Sequence, residues 1–422
     1  MKKQLLLSIA LILPLLFGHT SFAQTTRQRC STVEYREQML KTHPEIATIR
    51  EKIEQEMQQW LLNNNKNPQP QAIVYVPVVV HVVYNTTAED VPDQYINDQI
   101  YQLNLDYSKA NFDWSSATPA VFQSVSANCE IQFCLAIKDP TGATTTGIIH
   151  KQTTVTQFTS NDDVKFSANG GDDGWPSTQY LNLWVCNLQA PLLGYGTPPG
   201  GPSNVDGVVL HYTTLPGPPN DPNYNLGRTG THEVGHWFNL EHINGDANCG
   251  NDLINDTPLQ DALHFGVQVH PLHVNNCAGT TNGEMFMNYM DYGDDVAIVM
   301  FTTGQKNRMK SCLNTTRSGI GPASLTKCVA DLSVHGLLSS DNLSVFPNPS
   351  SGNFSLTLNL DNISTADMII RNAVGETILS KKVSFNSGKT IEVKTDNIPD
   401  GMYFIELKTA QGVIAKKVVF NR

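Results

Sequence analysis

Beyond its first two dozen residues the sequence contains no apolar run that could cross a bilayer, a span that takes about 20 residues. Positive charge is also short: 28 Lys and Arg against 39 Asp and Glu leave a formal net charge of -11. Nucleic acids and anionic membranes both reward a basic surface, so neither is expected as a partner. No internal repeat is found. With 422 residues, 40% of them hydrophobic and 8% aromatic, the chain reads as ordinary globular protein of two or three domains.

The one long apolar run lies at the start, Leu5 to Phe17 behind Met1-Lys2-Lys3, with small residues Ser21 and Ala23 in "SFAQ". This is the form of a secretory signal cleaved after Ala23, and it is too short for a membrane anchor. Export is therefore expected, with no membrane span and with the cysteines exposed to an oxidising environment.

Between residues 24 and 71, "PEIATIREKIEQEMQQWLL" (Pro44 to Leu62) has helical spacing, and "NNNKNPQPQ" after it reads as a linker or processing site. "AIVYVPVVVHVVY" from Ala72 is a buried strand by its β-branched content, with Pro77 favouring an edge position or a start just after it. "YINDQIYQLNLDYSK" reads as a helix and "EIQFCLAI", "YLNLWVCNL" and "GVVLHY" as strands, so an α/β layer precedes residue 232. The pattern is irregular from Glu241 to Phe301, and a helix resumes at "TTGQKNRMKSCL", where Thr302 and Gln305 have capping-box spacing. From Leu343, short alternating strands broken by Asn-Pro, Val-Gly, Pro-Asp-Gly and Gln-Gly turns predict a small antiparallel sandwich.

The chemistry concentrates in "HEVGHWFNLEH", His232 to His242. On one helix His232 and His236 share a face and can offer two imidazole nitrogens to one metal ion. Glu233 between them is too close to join the same tetrahedron comfortably, yet near enough to take a proton from a water held by the metal. Standing alone, five residues of H-E-x-x-H also occur by chance on solvated helices. His242 would lie about 15 Å along a straight helix from His232, out of reach. Asn239 changes this, because asparagine, next to glycine, best tolerates the left-handed conformation that ends a helix and reverses the chain. His242 then becomes a third ligand and the fourth position stays open for water. His211, His264, His270 and His273 lack spacing to any partner ligand and read as loop or surface residues.

These eleven residues resemble the extended zinc motif of the metzincins, HExxHxxGxxH, with Asn239 in the glycine seat. "MNYMDY" resembles the Met-turn of that group, and "GRTGTHEVGHW", "DTPLQ", "NYMDY", "FTTGQKNRM", "DPTGATTTGI" and "YLNLWVCNL" are similar to its pappalysin-like branch, over about residues 72 to 320. The resemblance implies a metzincin-type α/β (α+β) zinc protease domain with a mixed sheet and an active-site helix. It implies zinc on His232, His236 and His242, Glu233 as general base, and Met290 as the hydrophobic floor. Tyr292 would stabilise the tetrahedral intermediate or ligate the resting metal; its bland reading is packing of the turn. At the other end, "VFPNPSSGNF", "DGMYFIEL" and the closing "KKVVF" look like the C-terminal sorting domain of type IX secretion cargo, although a sandwich alone would also suit a carbohydrate-binding or adhesive module. The expected organisation is a signal peptide (1–23), a pro-segment (24–71), a catalytic domain (72–328), a linker (329–341) and a β-sandwich sorting domain (342–422).

Cys30 in "RQRCSTVEY" is distant from the other cysteines. By itself it reads as a surface thiol, a disulfide partner or a thiolate on the open zinc position; "RCSTVEY" resembles the cysteine-switch segment of pappalysin-like proenzymes, with Ser31 where glycine is common. Of the other seven, Cys249 and Cys277 flank the irregular loop and are expected to pair, while Cys312–Cys328 and Cys134–Cys186 are weaker pairings. "CGNDLINDTP" offers Asp252, Asp256 and Thr257 as hard oxygen ligands for calcium, or as Asx-turn chemistry. Some relatives prefer a basic residue after the scissile bond, but "HPLHVNNCAG" shows no acid, so no strong Arg or Lys requirement is expected. The reading is a secreted zinc endopeptidase acting on protein or peptide substrates, made as a latent zymogen and handed to the type IX machinery. The competing readings are a secreted adhesin or binding module with a structural zinc and a zinc hydrolase of non-peptide substrates.

Overall fold

The structure, a computed structural model, describes residues 29–66, 73–217, 221–272, 277, 281–320, 327–328, 336–337, 342–359, 365–372, 377–385, 390–395, 398–409 and 412–421. The signal-peptide reading of 1–23, the stretch 67–72 and His273 lie outside the described residues.

The valine-rich run forms β1 (Val74–Tyr84), buried along nearly its whole length. It is a central strand, not an edge: β2 (Ile131–Leu135) and β3 (Ile148–Gln152) pair with its first and second halves, and β4 (Leu181–Cys186) pairs on the other side, all parallel. Pro77 is tolerated because the bonds of Val74 and Val78 run toward β2, so the proline nitrogen faces the β4 side, where pairing begins only at Val78. β6 (Val208–His211) continues the parallel order and β5 (Gly194–Gly196) closes it antiparallel, giving the order β2-β1-β4-β6-β5 in a mixed sheet.

One face of this sheet packs against α3 (Asp93–Tyr107), the single turns α4 (Trp114–Ala117) and α5 (Ala120–Gln123), α6 (Arg228–Trp237) and α7 (Thr303–Asn314). Val78, Val80 and Val82 meet Leu103, Tyr107, Val234, Phe238 and Met290 there. Period-2 alternation sends Val83 to the opposite face, with Trp184, Tyr195 and Val209. That second face is covered by the N-terminal segment: Tyr35 and Met39 come from α1 (Thr32–Thr42), a helix the sequence pattern did not reveal. The following helix, α2 (Glu45–Lys66), begins one residue after Pro44 and packs Ile53 and Met57 on Cys312 of α7. Asn63 to Lys66 belong to its last turn, so the polar run is helix before it is linker.

The α7 N-terminus has the expected capping box, Thr302 and Gln305 each accepting the other's backbone N–H. Cys249–Cys277 is a disulfide, as expected, but the other two pairings are overturned: Cys134 joins Cys328, and Cys186 and Cys312 are buried free thiols, as is Cys129. Cys186 lies inside β4, wholly within the core, whereas β2 runs out beside residue 328, where Ala136 bridges to Cys328.

The C-terminal strands are β7 (Gly336–Leu337), β8 (Leu343–Phe346), β9 (Asn353–Leu358), β10 (Thr365–Asn372), β11 (Thr377–Ser384), β12 (Thr390–Lys394), β13 (Gly401–Thr409) and β14 (Gly412–Phe420). They form two sheets, β11-β10-β13-β14-β7 and β12-β9-β8, over a core that includes Leu356, Met368, Ile405 and Val418. Gly336–Leu337, read from the sequence as linker, pairs parallel to β14.

Candidate metal centre

Helix α6 starts where the Asp295 carboxylate accepts the N–H groups of Leu226 and Arg228 at 2.9 and 3.2 Å, suiting a negative group at a helix N-terminus. It ends in a Schellman motif. Asn239 has φ 69°, its N–H donates to His236 O at 2.8 Å, and the Leu240 N–H donates to Gly235 O at 3.0 Å. The chain reverses at that point and brings His242 back over the helix. His236 Nε2 lies 3.1 Å from His232 Nε2 and 3.1 Å from His242 Nε2.

Each imidazole has its far nitrogen occupied. His232 Nδ1 meets Tyr289 O at 2.7 Å, His236 Nδ1 meets Leu240 O at 2.8 Å, and His242 Nδ1 meets Asp246 Oδ1 at 2.5 Å. These acceptors require the proton on Nδ1, which leaves three Nε2 lone pairs facing one another in a buried space. Burial, with the neighbouring imidazoles, holds His232 and His236 well below the usual histidine range, so both stay neutral. Three acceptors cannot satisfy one another; a cation can satisfy all three. The ligand atoms of Cys30, His232, His236 and His242 lie within 4.8 Å of one another, a nitrogen and sulfur set suited to zinc. Below it, Met290 packs so tightly on α6 that a Cβ at Gly235 would sit 2.6 Å from its sulfur.

Glu233 is fully buried beside this set. Its Oε2 accepts the Thr32 hydroxyl at 2.9 Å and lies 3.4 Å from Cys30 Sγ, while Oε1 has no hydrogen-bond partner among the described residues. Burial pushes its pKa up to about 8, against the lowering influence of Cys30 and Thr32. Burial and the Glu233 carboxylate push the Cys30 thiol well up as well. Tyr292 stands with its ring 5.0 Å from that of His242 and donates its hydroxyl to Cys30 O at 3.3 Å.

The N-terminal segment reaches the centre along the sheet edge: Ser31 N–H donates to Gly194 O at 3.1 Å, and the Gly196 N–H donates to Thr32 Oγ1 at 2.8 Å. A Cβ at Gly196 would lie 2.7 Å from Glu233 O, so glycine is what lets β5 approach α6 this closely. Beside Cys30, Arg29 is buried against an equally buried Asp295 at 2.8 Å, with Gly293 O at 2.5 Å and the Tyr224 ring at 5.1 Å. An acid therefore lines the space next to the centre. The sequence expectation of none looked at residues 270–279, whereas the acid follows the Met-turn. Thr32 lies in a stretch already singled out, "RCSTVEY", whereas Asp295 follows "NYMDY" with no signal of its own, and only the fold brings them to Glu233 and Arg29.

The calcium reading gains no support from the residues named for it. Asp252 accepts the Thr257 hydroxyl at 2.9 Å and the Ile254 N–H at 3.1 Å, the Asx-turn alternative, while Asp256 accepts the Thr302 hydroxyl at 2.7 Å and the Gly304 N–H at 2.9 Å as a second cap of α7. Two of the histidines read as loop or surface residues are buried. His211 accepts the Thr213 N–H at 3.2 Å, and His264 sits between Asp291 at 2.9 Å and Glu284 at 2.6 Å. Burial opposes charging of His264, but the two carboxylates outweigh it and raise its pKa.

Residues 167–314 match the family model described as pregnancy-associated plasma protein-A, and residues 344–421 match the secretion system C-terminal sorting domain. Mature mirolysin of Tannerella forsythia, solved with a cleaved peptide, is 41% identical with a TM-score of 0.59 over 61% of this chain and 99% of that one. A promirolysin point mutant of the same organism is 37% identical with a TM-score of 0.63 over 71% of this chain and 99% of that one. An extracellular metalloprotease of Sordaria macrospora is 40% identical over 145 residues, 33% of this chain and 50% of that protein. The chain thus spans about half the length of the curated relatives it matches, here and in Neurospora crassa, whose extracellular metalloprotease is 38% identical over the same shares.

The turn at residue 239 is open to test. Asn239→Gly should keep metal stoichiometry and thermal stability near the parent's, whereas Asn239→Val, β-branched in a left-handed seat, should cost about 1–3 kcal/mol and lose much of the bound metal. Metal analysis alongside calorimetry checks this; a valine variant with full metal content would refute the role given to the turn.

Proposed function

The chain belongs to the pappalysin-like metzincin family, and we propose that it is a secreted zinc endopeptidase made as a latent precursor. The observation that carries this reading is the buried Glu233 carboxylate beside three converging histidine nitrogens, with a cysteine of the N-terminal segment at the fourth approach. His232, His236 and His242 would hold the ion. Zinc, when bound, supplies Lewis acidity toward a carbonyl and lowers the pKa of water.

What remains falls to the protein. Glu233 would accept a proton from the attacking water and pass it to the leaving amine. Tyr292, now bonded to a carbonyl of the N-terminal segment, would donate to the oxygen of a substrate carbonyl. The edge strand β5, now engaged by Ser31 and Thr32, would take an extended substrate by β-augmentation. Met290 fills the floor beneath.

Latency in this reading has two contacts. Cys30 would join the three histidines in holding the ion as a thiolate, and the Thr32 hydroxyl ties up Glu233. Arg29 marks a pocket. Once the segment leaves, Asp295 loses its guanidinium partner and keeps the Leu226 and Arg228 N–H groups, leaving a carboxylate charge that another cation would balance. We therefore assign Arg or Lys to the substrate residue after the scissile bond, revising the sequence expectation. Export would use the N-terminal signal and then the C-terminal sorting domain.

Three outcomes are expected. Glu233→Ala should retain zinc and lose at least about 100-fold in peptide cleavage; unchanged cleavage would sink the mechanism, and an inert parent would favour a binding module. In a peptide-library digest read by mass spectrometry, Arg and Lys should dominate after the cleaved bond, and an apolar preference would remove the Asp295 assignment. Uncleaved Cys30→Ala precursor should show partial activity, and adding Thr32→Val should raise it further; equal activity in the two would leave Thr32 no part in latency.

A further inference from the structure

The three histidines are oriented by different kinds of partner. His232 and His236 give Nδ1 to backbone carbonyls, which almost any residue at 289 and 240 would supply. His242 depends on one side chain, Asp246, whose Oδ1 lies 2.5 Å from Nδ1. The local chain is shaped for that contact. Gly245 N–H donates to His242 O at 2.8 Å, Gly245 and Asp246 take left-handed φ values of 62° and 56°, and the Asp246 N–H donates to Asn244 Oδ1 at 3.1 Å. A non-glycine residue in that conformation carries backbone strain that persists only where its surroundings over-determine it.

Asp246 also has a second partner. Its Oδ2 accepts Arg36 of α1 at 3.0 Å, and Arg36 reaches Glu241 at 2.5 Å, which in turn takes Arg50 of α2 at 3.2 Å. The carboxylate that orients a histidine is thus shared with the segment that covers the centre.

Building on the zinc reading above, we infer that Asp246 is the positioning residue of the third ligand: it fixes the tautomer and ring plane of His242, and Arg36 holds the same carboxylate in the latent chain. A carboxylate behind a ligating imidazole raises the basicity of the nitrogen that faces the ion. Departure of α1 would take the Arg36 guanidinium from Asp246 while its contact with His242 stays, so removal of the pro-segment would alter the support of the centre as well as access to it.

The test uses the full-length precursor and its matured form, with zinc affinity measured by competition with a chromogenic chelator. Asp246→Ala should weaken zinc binding about 10–100-fold. Asp246→Asn, which keeps the shape and one acceptor oxygen, should weaken it less and should shift the d–d bands of the cobalt-substituted precursor. Persistence of the Cys30 thiolate-to-cobalt charge-transfer band in that variant reports an intact fold. Parent-like affinity and cobalt spectra in both Asp246 variants overturn the inference while leaving the zinc reading intact. A parent that takes up no zinc overturns that reading, and the inference with it.

Discussion

The centre depends on one backbone reversal. A helix long enough to hold both His232 and His236 carries the chain away from them, and His242 can meet them only if the helix stops within one turn of His236. The left-handed residue at 239 does this while the Gly235 and His236 carbonyls at the end of α6 stay bonded within the turn. The Arg308 guanidinium, which donates to Asn239 O at 2.8 Å and forms an ion pair with Glu54 of α2, ties the same turn to α7 and to the N-terminal segment. Gly235 then lets Met290 close the space from below.

The N-terminal segment engages the atoms that the proposed chemistry needs. Cys30 faces the three nitrogens, Thr32 the proton acceptor, Ser31 the sheet edge and Arg29 the buried acid. Three basic residues of the segment, Arg29, Arg36 and Arg50, each meet carboxylates of the body, and Glu54 returns the pairing with Arg308. These pairs are held in place by the apolar contacts of Tyr35, Met39, Ile53 and Met57, so the segment is packed as part of the core. In the proposed reading such an arrangement would tie latency to the folding of the segment, because Cys30 is held by the same segment whose helices are docked on the body.

Much of this was legible in the residues. The strands β1, β2, β4 and β6, helices α3 and α7, the capping box at Thr302, the end of α6 at Asn239 and the terminal sandwich follow from periodicity and turn chemistry, because each is set by neighbours within a few positions. The misses share a different cause. Helix α1 has a weak apolar stripe and is buried by partners far away in sequence. β5 is three residues long and carries two glycines, so it has no strand signature. Pro77 looked like an edge residue because nothing local reveals that β4 starts one residue later. The disulfide of Cys134 goes to Cys328, 194 positions distant, and parity could not select it.

By itself the sequence singled out the residues to which the chemistry is assigned: the three histidines and Glu233 through spacings that local geometry can interpret, and Met290, Tyr292 and Cys30 through resemblance to a family pattern. Only the tertiary structure decided what surrounds them, because an orienting acceptor, a buried counter-charge or a covering hydroxyl is a matter of distance through space. Asp246 behind His242, Asp295 against Arg29 and Thr32 on Glu233 are of that kind. Each is an ordinary polar residue in sequence, and each acquires its role because burial in a low-dielectric interior makes its one close partner matter.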